Sequence, residues 1–169
     1  SYLFATDYLG GASQSPRTDE GTRDRFAELE LALATLAAEP AAQPQTLWAT
    51  LAPFLADPAG NSHRSELNIE KLWNPYLPGR GCLGLVEFRA FRMPRTPRRA
   101  GAIAALLRAL TAMLARHDPT PNLIHWDREL HDRFALPFFL RQDLRVMLDD
   151  LERYGLSLGQ SLKRELLQD

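Results

Sequence analysis

Glu87-Phe88-Arg89 lies in a run, Cys82 to Phe91 (CLGLVEFRAF), in which apolar and charged residues alternate. Side chains of an extended strand alternate between faces. Glu87 and Arg89 therefore share one face, and Val86 and Phe88 share the other. A carboxylate beside a guanidinium can be no more than an exposed ion pair, worth about 0–1 kcal/mol. It can also be a ligand for a hard cation next to a fork for an anion. A second run, Arg64 to Lys71 (RSELNIEK), repeats the alternation: Arg64, Glu66, Asn68 and Glu70 point one way, Leu67 and Ile69 the other. If the two strands pair, their carboxylates, amide and arginines form one small polar floor. Carboxylate oxygens suit Mg²⁺, and Arg suits phosphate or a substrate carboxylate. Phosphoryl transfer needs such a floor, because its catalysis is mainly positioning and charge neutralisation. On this reading Glu87, Glu66 and Glu70 are the metal candidates. Arg64 and Arg89 stabilise developing negative charge, and Asn68 lines the floor on the cofactor side.

Other segments carry weaker signals. In Ser13 to Glu20 (SQSPRTDE), Arg17, Asp19 and Glu20 stand just before a helix. Either the two carboxylates favour the positive helix end and Arg17 is solvated, or the loop is a substrate or nucleotide lid with Arg17 as a cofactor-binding residue. Arg89, Arg92, Arg95, Arg98 and Arg99 form a basic cluster that could touch phosphate. Phe91 is its only interleaved aromatic, so solvated helix-start positions or a contact with another domain are the preferred reading, and nucleic acid is not an expected partner. His63, His117, His125 and His131 show no metal-ligand spacing, and Cys82 has no evident His or Asn partner. There is no P-loop and no GxGxxG. Trp48, Trp73 and Trp126 read as packing residues.

The elements that must position these residues are mostly helices. Among 169 residues there are 30 Leu and 22 Ala but only five Val plus Ile, which favours helix over strand. Phe26, Leu29, Leu33 and Leu36 mark one helix from Thr22 to near Glu39. Leu47, Trp48, Leu51, Phe54 and Leu55 mark a second. Thr96-Pro97 opens the clearest one, with Ile103, Leu106, Leu107, Leu110, Met113 and Leu114 as its apolar stripe. This helix is expected to cover the apolar side of the sheet through Ile103, Leu106, Leu110 and Met113. Trp126 to Phe134, a helix from Pro137 stopped by Gly155, and Ser157 to Leu167 complete the helical set. Ser1 to Leu9 reads as a strand or ordered segment, and Leu72 to Gly81 as a connection.

The net charge is −1, from 20 basic and 21 acidic residues, so no global field favours nucleic acid or acidic membranes. A single cysteine excludes an internal disulfide, and no apolar run is long enough to span a bilayer. With Asp7 and no basic leader at the start, a cytoplasmic setting is expected.

The runs NSHRSELNI (61–69), EKLWNPYLPGRG (70–81) and LGLVEFRAFRMP (83–94) closely resemble a bacterial amidoligase-like domain family. So do SQSPRTDE (13–20) and LHDRFALPFF (130–139). That domain is found C-terminal to transglutaminase-like domains in long bacterial proteins. The resemblance spans nearly the whole chain, and EKLWNPYLPGRG is its specific run. Several members have Glu where this chain has Arg92.

The family is placed with the glutamine synthetase-like carboxylate–amine ligases. Those contain an NRSA run leading into a strand, then an E-x-R strand, then an apolar helix. Here Arg64-Ser65, Glu87 with Arg89, and Ala102 to Leu114 stand in those places. The resemblance implies ATP and Mg²⁺ as cofactors. It implies Arg64 on ATP phosphate, Glu87 on Mg²⁺ or Mn²⁺, and Arg89 on the substrate carboxylate or a phosphate. Where glutamine synthetase carries a second Arg, in an IRIP run, this chain reads LNIE, so its phosphate contacts differ.

The expected fold is α+β and predominantly helical: a short antiparallel sheet (strands about 64–71 and 82–91) packed by helices, a glutamine synthetase-like fragment. Residues 1–169 are expected to be a single domain, the C-terminal part of a larger amidoligase-like catalytic domain. ATP would phosphorylate a carboxylate and an amine would displace the phosphate, in the full-length protein rather than in this chain alone. The expected partners are an N-terminal transglutaminase-like domain in the same polypeptide and a peptide or small carboxylate or amine substrate. The missing second Arg and the small sheet motivate an alternative: a non-catalytic module presenting a peptide to a transglutaminase-like cysteine peptidase.

Overall fold

A computed structural model describes residues 22–39, 41–56, 59–62, 67–89, 91, 93–117, 123–127, 129 and 137–168. The expectations for Ser1 to Gly21, including Arg17, and for Arg64, Glu66 and most of 126–134 lie outside the described residues. Helix α1 (Arg23–Ala38) starts where the Thr22 side chain accepts a hydrogen bond from Arg25 N at 3.3 Å. Helix α2 (Pro44–Leu51) begins on proline, whose missing N–H costs nothing in a first turn. It tightens into a 3₁₀ turn at Ala52–Leu55, where Pro53 cannot donate to the α-helical ladder. Arg25 ties α1 to that turn: its guanidinium lies 4.5 Å from the centre of the Phe54 ring and donates to the Pro53 carbonyl.

Strands β1 (Leu67–Asn68) and β2 (Glu87–Phe88) pair antiparallel, Leu67 opposite Phe88 and Asn68 opposite Glu87. The expected pairing and direction are present, and both strands are much shorter than expected. β1 ends because Asn68 Oδ1 accepts from Glu70 N at 3.0 Å and turns the chain. Glu70 consequently opens a short helix, α3 (Glu70–Trp73), instead of extending the strand. In the second segment Gly84 has φ +69°, outside strand geometry, and extended pairing resumes only at Glu87. Beyond β2, Phe91 is an isolated bridge residue.

Between the strands the EKLWNPYLPGRG run folds into turns anchored on Asn74, which is buried. Its Oδ1 accepts from Tyr76 N at 3.0 Å, and Leu77 O accepts from Gly81 N at 3.0 Å. Gly81 is required by proximity, since a Cβ there would stand 1.5 Å from Asn74 O.

Helix α4 (Pro97–Arg116) is capped by Thr96, whose hydroxyl accepts from Arg99 N at 3.1 Å. Of its stripe, Ile103, Leu106 and Met113 are buried as expected and Leu107 is partly buried, whereas Leu114, in the last turn, is 56% exposed; the covering partners also differ. Ala102, Ile103, Leu106 and Met113 pack with Leu144, Leu148 and Leu151 of α5 (Pro137–Arg153) and Leu166 of α6 (Gln160–Leu167). Leu110 is only partly buried, and Phe91 packs at the edge of this cluster. This core therefore forms among the C-terminal helices rather than between α4 and the sheet; Phe88 of β2 and the preceding Val86 are exposed. The α5–α6 turn is a Schellman motif: Leu156 N bonds Leu151 O at 2.8 Å, Gly155 N bonds Glu152 O at 2.9 Å, and Gly155 has φ +71°.

Candidate functional site

The pairing register puts Asn68 directly across from Glu87, and directly opposed residues share a face. Arg89, two residues on, donates to Glu87 Oε2 at 3.0 Å and to the Ser62 carbonyl at 2.9 Å. The pair is asymmetric in exposure: the Glu87 side chain is 45% exposed and that of Arg89 is 19%. Arg89 is thus held by a backbone carbonyl on one side and a carboxylate on the other, with part of its fork near solvent.

Ser62 has a second role. Its hydroxyl donates to the Glu70 carboxylate, so one residue links the Glu87–Arg89 pair to Glu70. On the Glu70 side an open cleft of about 320 Å³ lies between the α2–3₁₀ segment and the β1–α3 segment. Trp48, Ala52, Pro53 and Leu55 form its apolar wall, and Ser62, Asn68 and Glu70 its polar end. Glu87 and Arg89 do not line it. Asn68 is only 3% exposed and is positioned by its bond to Glu70 N, so it serves the backbone of the turn as well as the floor.

The structure accordingly brings together Asn68, Glu87 and Arg89 by strand pairing, with Glu70 alongside through Ser62. It does not place Glu70 on the strand with Asn68, because Glu70 is helical. Arg64, Glu66 and Arg17 fall outside the described residues. Among the described residues no group of three or more His, Cys, Asp or Glu side chains is placed to hold a metal ion. A Mg²⁺ ion commonly takes only one or two carboxylates, completing its shell with water and substrate phosphates, and Glu87 beside Arg89 is suited to that smaller share.

Ser62 and the cleft wall were not legible in the sequence. A serine eight residues before a glutamate has no periodic signature, and Trp48 reads simply as a packing residue. Two arginines of the basic cluster are used inside the fold. Arg98 pairs with Glu165 at 3.3 Å and donates to Ser161 Oγ at 2.7 Å; Arg99 donates to the backbone carbonyls of Glu165 and Gln168.

Among the described residues no helix is long and apolar enough to cross a membrane. Residues 1–166 match the model of the family described as "Putative amidoligase enzyme (DUF2126)", and the chain belongs to that family. Neither a curated protein nor a solved structure matches the chain.

Proposed function

We propose that this chain supplies part of the active site of an ATP- and Mg²⁺-dependent carboxylate–amine ligase, working within a longer polypeptide. The observation that carries the reading is the pairing of Asn68 against Glu87, with Arg89 braced between Glu87 and the Ser62 carbonyl. Membership of an amidoligase family supports the reaction class. When bound, Mg²⁺ would neutralise charge on the nucleotide phosphates. Glu87 is the carboxylate suited to it, and Arg89 is suited to an anionic oxygen of the acid being activated. Arg64 and Arg17 remain candidates for the nucleotide, and Glu66 for the metal. The γ-phosphoryl group would pass to a substrate carboxylate, giving an acyl phosphate and ADP. An amine would then attack the acyl carbon, forming the amide and releasing phosphate. A transglutaminase-like domain upstream and a peptide or small-molecule substrate belong to the same proposal.

A binding-module reading has one specific observation in its favour. Arg89 already spends two donors inside the fold, which suits a structural role. The deciding test is ADP and phosphate release by the full-length protein with Mg²⁺-ATP and pooled amino acids and peptides. Turnover lost in Glu87→Gln and in Arg89→Lys, with the fold intact, supports the ligase. Unchanged turnover in both variants overturns it.

A further inference from the structure

We infer that the cleft between the α2–3₁₀ segment and the β1–α3 segment binds the amine partner of the reaction, as a primary ammonium on a short apolar stem. The inference rests on the ligase reading for its chemical sense, and on the cleft itself for its content. The walls given by Trp48, Ala52, Pro53, Leu55 and Ile69 are apolar and exclude water from a stem lying along them. Among the described lining residues the only charged side chain is Glu70, at the polar end beside Ser62 and Asn68. Among the described residues the trough is apolar with a single carboxylate, which complements an apolar body with a cationic head. It disfavours a carboxylate or phosphate, which Glu70 would repel.

The position is also appropriate. Ser62 donates its hydroxyl to the Glu70 carboxylate and accepts from Arg89 at its carbonyl. The carboxylate that holds the amine and the arginine suited to the acid are thus attached to the same residue, one at its hydroxyl and the other at its carbonyl. A ligase must bring an amine and an activated carboxylate to contact distance, and shared anchoring on one residue fixes their relative placement. Glu70 orients the bound ammonium; loss of a proton must precede its attack on the activated carboxylate.

Calorimetric titration of the full-length protein, without nucleotide, with 2-phenylethylamine, 2-phenylethanol and phenylacetate tests this. The three probes share a stem and differ in head-group charge. The amine should bind about tenfold or more tightly than the alcohol, the factor one charge-assisted hydrogen bond supplies, and phenylacetate should bind weakest. Glu70→Gln keeps an acceptor for the Ser62 hydroxyl and should remove the preference for amine over alcohol. Ala52→Leu fills the apolar wall and should weaken both. Circular dichroism checks the fold of each variant. Equal binding of amine and alcohol, or an amine preference that survives Glu70→Gln, overturns the inference. So does Mg²⁺ binding that depends on Glu70 in the absence of any amine binding, since Glu70 would then be a metal ligand. Because no nucleotide is present, failure here is separable from failure of the ligase reading. ATP turnover without amine binding sinks the amine site alone, and amine binding without ATP turnover sinks the ligase alone.

Discussion

Replacing Arg99 by Met should destabilise the helical core without touching any nucleotide chemistry. Arg99 sits in the first turn of α4, where a cation opposes the positive end of that helix's own dipole. It is tolerated because it reaches the last turn of α6, donating to Glu165 O and, at 2.7 Å, to Gln168 O. Both carbonyls lie at the end of that helix, where the last carbonyls lack intrahelical donors, and the negative end of the dipole favours the charge. Methionine retains much of the apolar stem and removes the charge and donors. A charged donor to a carbonyl contributes roughly 1.5–3 kcal/mol when shielded, and helix-end charge roughly 0.3–1 kcal/mol. Of these two carbonyl contacts one is exposed, so water replaces much of what is lost there, and about 1–2 kcal/mol is expected from the pair. At about 2–4 °C per kcal/mol for a chain of this size, the melting temperature should fall by roughly 2–8 °C. Thermal unfolding followed at 222 nm measures it. A melting temperature within about half a degree of the parent's would refute the clamp. If Arg99 instead contacted phosphate, stability would hold while affinity for a polyanion fell and its salt slope dropped by about one.

Leu148 is 2% exposed in the cluster shared by α4, α5 and α6, so Leu148→Ala should cost roughly 2–5 kcal/mol in urea unfolding; a loss below about 1 kcal/mol would show that this face is not core. Gly81→Ala should be more damaging than Gly84→Ala. The first drives a Cβ into the Asn74 carbonyl, whereas the second meets nothing within 4 Å and carries only the strain of φ +69°; denaturation midpoints in the opposite order would contradict the packing of the 74–81 turns. Glu87→Gln should change stability by only about 0–1 kcal/mol, because its pairing with Arg89 is half exposed, while Mg²⁺-ATP turnover in the full-length protein disappears. A large stability loss with turnover retained would make Glu87 structural.

What could be read ahead of the structure was local. Thr96-Pro97, the Ile103–Met113 stripe and the Gly155 stop are chemical signals within one or two turns of chain, and all three appear as expected. The antiparallel pairing was legible too, because two alternating runs leave little choice of partner. The extents of the strands were not. Alternation in RSELNIEK runs through Glu70, but the Asn68 side chain takes the Glu70 N–H and diverts the backbone, an interaction that period-2 counting does not register. Which face turns inward was equally hidden. Alternation says which residues share a side, yet on the polar side Asn68 is 3% exposed while the Glu87 side chain is 45% exposed, and Phe88 on the other side is 43% exposed, so burial does not follow the alternation. The partners of α4 and the cleft under α2 depend on where distant helices dock, and no spacing within either segment encodes that.

The inverted burial of Asn68 also explains how so small a sheet can position charges at all. Two strands of two residues each cannot hold a geometry by ladder bonds alone. The positions are set instead by side chains bonded to backbone or to one another: Asn68 Oδ1 to Glu70 N, Arg89 to Ser62 O, Ser62 Oγ to the Glu70 carboxylate. Each such bond requires its polar atoms to be sheltered from competing water, and a nearly buried asparagine on the would-be polar face meets that requirement. Glu70 is therefore lifted off the strand plane and turned toward the cleft by the same residue that faces Glu87 across the ladder. The departure from simple alternation is what separates one carboxylate, Glu87, on the arginine side from another, Glu70, on the apolar side. Two carboxylates on one face of paired strands would repel each other and compete for one cation. Parted by the Asn68 turn, they can, on the proposed reading, serve two separate cations.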